Sequence, residues 1–511
     1  MTTPQLRVAD LIVIAFAFLV MIAIGFVCAR RSRSAEGYFL AGRSMPGWVV
    51  GFSMMATIVS SMTFLALPAF TYEKNWIHFP GNATFLLAML VALVLFVPFY
   101  RKAGIRSAYE YLELRFGTWA RLYAAFCGIL FHIFRMGVIL YIVALSVQTM
   151  VGRDLETILL VLGIIVTLYT ITGGLQAVIW TDLIQGVTLI GGGLICMPII
   201  LNQLPGGFSD ILTIAADGDK FSFGNTSFNF SEQTMWSLIF TKLFIFLQVL
   251  GADQTSIQRY CAARSDKDAR TAVLLGCVLT VPVWTYFFFV GTAMYVFYQA
   301  VPGTDVSHLK PDQILPHFIL TQIPAGLAGF VITGLLAAAM STLDSSINAA
   351  AATLTTDFYQ RLVARDRSPQ HYAYVGRLLS LAFGVIMIGT ALVIHQYRAQ
   401  EAMEDIQTLI LSILGGGLLS LFLIGFLTVR VDSRAALIAT LTTVTCVVCW
   451  LILDSFFSDS IFWLPSKMWM GVFSNLLLFT VGYAASFLGN RQSGPSLEGL
   501  TIWTTASKST A

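Results

Sequence analysis

Charge is what this chain has least of. Asp, Glu, Lys and Arg make up 11% of its 511 residues, less than half the roughly 25% of a soluble domain. So little charge excludes a soluble enzyme, and a 57% apolar content excludes a disordered chain. The formal net charge of +3 is too small and too scattered to line a nucleic-acid groove. Cysteine is scarce too. Seven residues, an odd number, run from Cys28 to Cys449, mostly inside apolar stretches; they read as small buried hydrophobes rather than a disulfide framework. Cys446 and Cys449 have the C-x-x-C spacing but no second pair, and read as packing. No G-x-x-x-x-G-K-[ST] loop occurs, which argues against ATP drive, and no His/Cys/carboxylate cluster has metal-ligand spacing.

Long apolar runs are what the chain has instead. They lie at about 7–29, 47–71, 78–100, 119–150, 155–176, 180–204, 234–257, 271–299, 323–358, 374–396, 405–428, 435–453 and 464–488. A bilayer core of about 30 Å needs roughly 20 apolar residues per helix, so the expectation is an all-α polytopic membrane protein with thirteen transmembrane helices. The first run leads directly into Arg30-Arg31-Ser32-Arg33 and is too long for a signal peptide. With the N-terminus placed outside, 21 of the 30 Lys and Arg residues fall on the inner side and 7 on the outer side, while Arg135 and Lys242 fall within spans. That asymmetry predicts an outside N-terminus and a cytoplasmic C-terminus, in a plasma (inner) membrane. Residues 1–490 read as one integral membrane unit and 491–511 as a short cytoplasmic tail.

Polar residues at bilayer depth each need a reason. In the second span Ser53, Thr57, Ser60, Ser61 and Thr63 place five hydroxyls in eleven positions. Such hydroxyls either bond back to their own helix or mark a helix broken near Ala56–Ser60, whose freed carbonyls bind a cation or a polar solute. In the ninth span Ala338, Ser341, Thr342 and Ser345 share one narrow face at 100° per residue. Oxygen ligands of this kind suit a hard cation such as Na⁺. Asp344 lies one step round, as an ion ligand or as a hydrogen-bonded carboxyl that pins neighbouring helices. Asp182 stands where one span gives way to the next, a functional carboxylate or one favoured by a helix start. Arg135 is too deep to snorkel and needs an anion, either a protein carboxylate or a substrate. Lys242 lies nearer a span end and reads as able to snorkel, and His132 reads as a satisfied core histidine. An intramembrane aspartyl protease would need Tyr-Asp and Gly-x-Gly-Asp contexts, but this chain has Thr181-Asp182 and Leu343-Asp344. An ion channel is a further class, separable by its lack of trans-stimulated exchange.

The segment Tyr169-Thr170-Ile171-Thr172-Gly173-Gly174-Leu175-Gln176-Ala177-Val178-Ile179-Trp180-Thr181-Asp182 resembles the diagnostic stretch of the sodium:solute symporter family. Gln254 with Gln258-Arg259-Tyr260, and Ala338-Ala339-Met340-Ser341-Thr342, resemble its two other landmarks, and the similarity runs from about residue 36 to 490. The resemblance implies a leucine-transporter-like fold: two inverted five-helix repeats, about 47–204 and 234–428, with one extra helix before and two after. It implies a main Na⁺ site at Ala56, Val59, Ala338, Ser341 and Thr342, and a second at Asp182, Ser345 and Ser346, beside which Asp344 replaces the usual serine. Within the family the chain is most similar to bacterial sialic acid transporters, whose carboxylate-binding arginine matches Arg135. Ser60, Ser61 and Thr63 match their broken-helix hydroxyls, whereas Ile58 and Asn82 depart from threonine and glutamine. Phe244 and Gln248 complete the expected solute-binding set. The implied function is Na⁺-coupled import of a small polar solute, such as an acidic sugar, by alternating access. A neutral sugar, polyol or monocarboxylate is the alternative cargo, although the Asn and His of glucose-type members are Ile58 and Thr63 here. The implied partners are Na⁺, the solute and the lipid bilayer, with no nucleic acid and no obligate protein partner.

Overall fold

The computed structural model describes residues 6–29, 34–103, 107–304, 306–397, 415–456, 465–488 and 497–504. The described chain is helical. In order it runs through α1 (Val8–Ala29), α2 (Gly47–Ile58), α3 (Ser61–Glu73), α4 (His78–Lys102), α5 (Thr118–Val151), α6 (Leu155–Gln203) and α7 (Met235–Gly251). It continues through α8 (Gln254–Ala262), α9 (Asp266–Ala300), α10 (Leu327–Val363), α11 (Pro369–Tyr397), α12 (Leu418–Leu427), α13 (Ser433–Phe456) and α14 (Lys467–Ala485). Among the described residues nine helices are long and apolar enough to cross a membrane, or eleven if the bent pairs α2/α3 and α7/α8 each count as one span. The expected count of thirteen is not reached by this measure. Leu155–Ile171 and Leu418–Leu427 fall below the length required, and the first part of the expected 405–428 span lies outside the described residues, as does most of the expected tail.

Three breaks in these helices follow from local chemistry. α2 ends at Ile58, and Val59 and Ser60 are extended before α3 departs at 49°; the Ser60 hydroxyl accepts from Met62 N at 3.3 Å and restarts the helix. α7 and α8 meet at 43° through Ala252 and Asp253, where the Asp253 carboxylate caps α8 by accepting from Thr255 N at 2.7 Å. Inside α6, Gly174 takes φ 59° and ψ −164°, a conformation open essentially to glycine alone. A Cβ there would lie 2.6 Å from the Tyr38 carbonyl oxygen, so the paired glycines of the 169–182 segment serve both a turn and a close approach.

α6 packs along α10, α2 along α9, and α1 against both α6 and α10. Every residue of α10 from Val331 to Thr353 is buried, so its Ser, Thr, Asp and Asn side chains meet protein rather than lipid. Four cysteines are buried in this packing, while Cys446 and Cys449 face outward from α13. The start of α2 is stitched to the end of α8: Met45 N donates to Ala262 O and Arg264 N to Met45 O, both at 3.0 Å.

Candidate functional site

The break after Ile58 leaves the last carbonyls of α2 without helical donors, and α10 supplies them. Ser341 Oγ donates to Ala56 O at 2.7 Å and approaches Ala338 O at 3.2 Å. Thr342 Oγ1 lies 3.1 Å from Thr57 O and 3.4 Å from Ala338 O. Four of the five expected main-site residues thus converge as neutral, hard oxygens that suit Na⁺. Val59 stands at the break itself, where its backbone N bonds Met55 O.

On the α3 side of the break lies a cavity of about 110 Å³. Ser60, Thr63, Asn82 and Arg135 line it with Lys242, Phe131, Phe246 and Trp284. Arg135 Nη2 donates to Thr57 O at 3.1 Å, and its buried Nε has no partner among the described residues. The Phe131 ring lies 5.9 Å from its guanidinium, and Trp284 Nε1 holds Thr63 Oγ1 at 3.2 Å. Among the described residues, two cations and no carboxylate line this space. Of the other expected solute contacts, Ser61 is buried with its hydroxyl unpartnered among the described residues, and Phe244 and Gln248 are not among the lining residues. Lys242 corrects the sequence reading: it is 8% exposed and lines the cavity instead of snorkelling, because α7 packs this face against the helix His78–Ala83. His132 is buried, with Nε2 3.8 Å from Asp253 and Nδ1 without a partner among the described residues, so it is not the satisfied core histidine expected.

Asp182 and Asp344 sit beneath the main site, both fully buried. Tyr169 Oη donates to Asp344 Oδ2 at 2.9 Å, and Ser345 Oγ lies 3.4 Å from Asp344 Oδ1. Asp182 Oδ2 accepts from Ser53 Oγ at 2.5 Å and from Arg259 Nη2 at 2.9 Å. Arg259 also reaches Thr57 Oγ1 at 2.6 Å and Ser345 Oγ at 2.7 Å. Asp182 Oδ1 and Ser346 Oγ have no partner among the described residues.

The family profile described as the sodium:solute symporter family matches residues 38–443. The chain belongs to the sodium:solute symporter family. It is a multi-pass membrane transporter and not an enzyme, and Na⁺ is its coupling ion. It is 32% identical over 437 residues to the sodium/sialic acid symporter SiaT of Proteus mirabilis, covering 85% of this chain and 88% of the relative. A solved Na⁺-coupled sialic acid symporter in its substrate-bound outward-open state superposes with a TM-score of 0.86 at 29% identity, over 95% of this chain and 98% of that one. The fold is shared by Mhp1, a nucleobase-cation-symport-1 family transporter, at a TM-score of 0.57 and 14% identity, over 89% of this chain and 95% of that one. The leucine-transporter-like architecture is therefore the symporter's fold.

Ion pairs tie α4 to α9 and α5 to α10. Arg101 Nε bonds Asp266 at 2.8 Å, and Arg121 joins Glu113 at 2.6 Å and Asp357 at 2.7 Å. Arg361 reaches Glu113 at 2.7 Å, and Ser107 Oγ donates to Asp357 at 2.8 Å. Burial pushes the Glu113 carboxyl up, but hydrogen bonds from Arg121, Arg361 and Thr118 outweigh it and hold the group below its ordinary value. Sequence reasoning missed Arg259 and Thr57 as site residues. Arg259 was visible only as part of a family landmark, and Thr57 only as one hydroxyl among five.

Proposed function

We propose that the symporter imports an acidic sugar of the sialic acid class together with Na⁺, from an outside face onto which the N-terminus opens, across a plasma (inner) membrane, as one transport unit of about residues 1–490. The observation that carries this reading is Arg135: a guanidinium at bilayer depth, lining the cavity, with a buried Nε that no described group engages. Such a fork takes a carboxylate bidentately, and Lys242 adds a second positive charge to the same space. Ser60, Thr63 and Asn82, which line the cavity, serve the rest of the solute, whereas Ser61, Phe244 and Gln248 are not part of its wall. The similarity to sialic acid symporters supports that choice of cargo.

One Na⁺ binds at Ala56, Val59, Ala338, Ser341 and Thr342, and a second is held by Asp182, Asp344, Ser345 and Ser346. The test is binding of a sialic acid and of its neutral amide to wild type and to Arg135→Ala. The acid is expected to bind wild type far more tightly than the amide. Arg135→Ala should weaken the acid by about 2–5 kcal/mol and leave the amide little changed, and Arg135→Lys should recover only part. Equal affinity of wild type for acid and amide contradicts the assignment.

A further inference from the structure

We propose that Arg259 and the second Na⁺ are alternative occupants of one site, the guanidinium holding the oxygens that Na⁺ takes when Arg259 withdraws. The proposal rests on the second-site reading above. Arg259 is 1% exposed and among the largest fully buried side chains. Its Nη2 alone has three oxygens around it, from Thr57 Oγ1 at 2.6 Å, Ser345 Oγ at 2.7 Å and Asp182 Oδ2 at 2.9 Å, while Nε adds Ser53 Oγ at 2.9 Å.

An Nη2 group carries two N–H bonds, so three oxygens exceed what it can satisfy as a planar donor. A ring of hard oxygens about one centre is instead what a spherical cation gathers. The other oxygen of the same carboxylate, Asp182 Oδ1, is buried and unpartnered among the described residues. The pocket therefore offers more acceptors than the guanidinium uses. Arg259 meets one carboxylate, Asp182, directly and reaches the second, Asp344, only through Ser345, whose Oγ takes Nη2 at 2.7 Å and lies 3.4 Å from Asp344 Oδ1. Two cations sharing these oxygens would repel each other strongly in so dry a site, so Na⁺ and Arg259 exclude each other.

Withdrawal has somewhere to lead. Arg259 Nη1 already bonds Thr255 O on its own helix at 3.0 Å, and the remaining bonds tie α8 to α2, α6 and α10 at once. Releasing them leaves α8 held from its other contacts, among them Gln254 Oε1 with Ala108 N at 2.9 Å and Gln258 Nε2 with Phe39 O at 3.3 Å. Entry of the second Na⁺ thereby frees α8 from α2, α6 and α10, which couples ion binding to the conformational cycle.

The test is equilibrium binding of radioactive Na⁺ to the purified full-length protein in detergent, for wild type, Arg259→Gln, Asp182→Asn and the double variant. An occupant that holds a site for about 90% of the time weakens its competitor's apparent affinity about tenfold. Arg259→Gln should therefore tighten binding of the second Na⁺ roughly tenfold or more, and Asp182→Asn in that background should remove the gain. If a second, Asp182-dependent Na⁺ is bound but Arg259→Gln leaves it unchanged or weaker, the arginine is a fixed brace and the proposal fails while the second site stands. If neither wild type nor Arg259→Gln binds more than one Na⁺ per chain, the second site itself is absent and both readings fall. Should the glutamine variant not fold, Arg259→Lys decides. Its single ammonium cannot span Ser53 and Asp182 together, so an intermediate gain is expected, and affinity no better than wild type contradicts the exchange.

Discussion

Thr57 joins three parts of the site through two oxygens. Its carbonyl takes Arg135 and Thr342 at 3.1 Å each, and its hydroxyl meets Arg259 at 2.6 Å and Ser345 at 3.2 Å. The proposed solute, main-ion and second-ion sites thus meet at one residue next to the break. The Ser341 and Thr342 hydroxyls are the part of this cluster contributed by α10. Replacing both with alanine should abolish Na⁺-dependent uptake, because a dehydrated cation is left short of ligands; uptake with undiminished Na⁺ dependence would remove them from the ion site. The hydroxyl face of α10 was legible in the sequence because helical periodicity needs only local spacing. Lys242 and Arg259 were not, since what they touch is set by the neighbouring helix, and a long basic side chain near a span end reads equally well as snorkelling.

Helix interruptions, rather than helices, position the chemistry. The α2/α3 break was foreseeable from Ser and Thr residues that offer the backbone alternative partners, whereas the α7/α8 break, at Gly251-Ala252-Asp253, carries only a brief capping signal. Gly174 is the third interruption. Gly174→Ala should lower the thermal unfolding temperature, with a strain cost of about 1–3 kcal/mol from backbone conformation before the contact with Tyr38 O is counted; unchanged stability would show that α6 does not need this turn. The charge cluster between the short helix Glu110–Phe116, α5 and α10 gives a pH-dependent counterpart. Because the Glu113 carboxyl is held below its ordinary value, its contribution is complete above the unfolded pKa and lost as pH falls through the folded one. Wild type should exceed Glu113→Gln by about 1–3 kcal/mol above about pH 5, and the gap should narrow on acidification below about pH 4. Thermal unfolding of the two proteins across that range checks the sign, and a gap that stays constant or widens contradicts it.

At the scale of the whole molecule, the membrane class was written in composition and the fold in three ordered motifs, whereas a broken span such as α2/α3 reads in sequence as one continuous run. The cavity beside the α2/α3 break holds the candidate solute contacts, and the ion pairs of Arg101 with Asp266 and of Arg121 with Asp357 tie α4 to α9 and α5 to α10. Inward movement of one positive charge gains about 2.3 kcal/mol per 100 mV, nearly 50-fold accumulation per charge at that potential. The central claim is Na⁺-driven import of an acidic sugar, and the most direct measurement is uptake of radiolabelled sialic acid into proteoliposomes under an imposed inward Na⁺ gradient, with and without an inside-negative potential. The expected result is transient accumulation above equilibrium that requires Na⁺, grows with the potential and exchanges with unlabelled sialic acid on the far side. Uptake of the same rate and extent with Na⁺ replaced by K⁺, or no uptake of any acidic sugar, would contradict it.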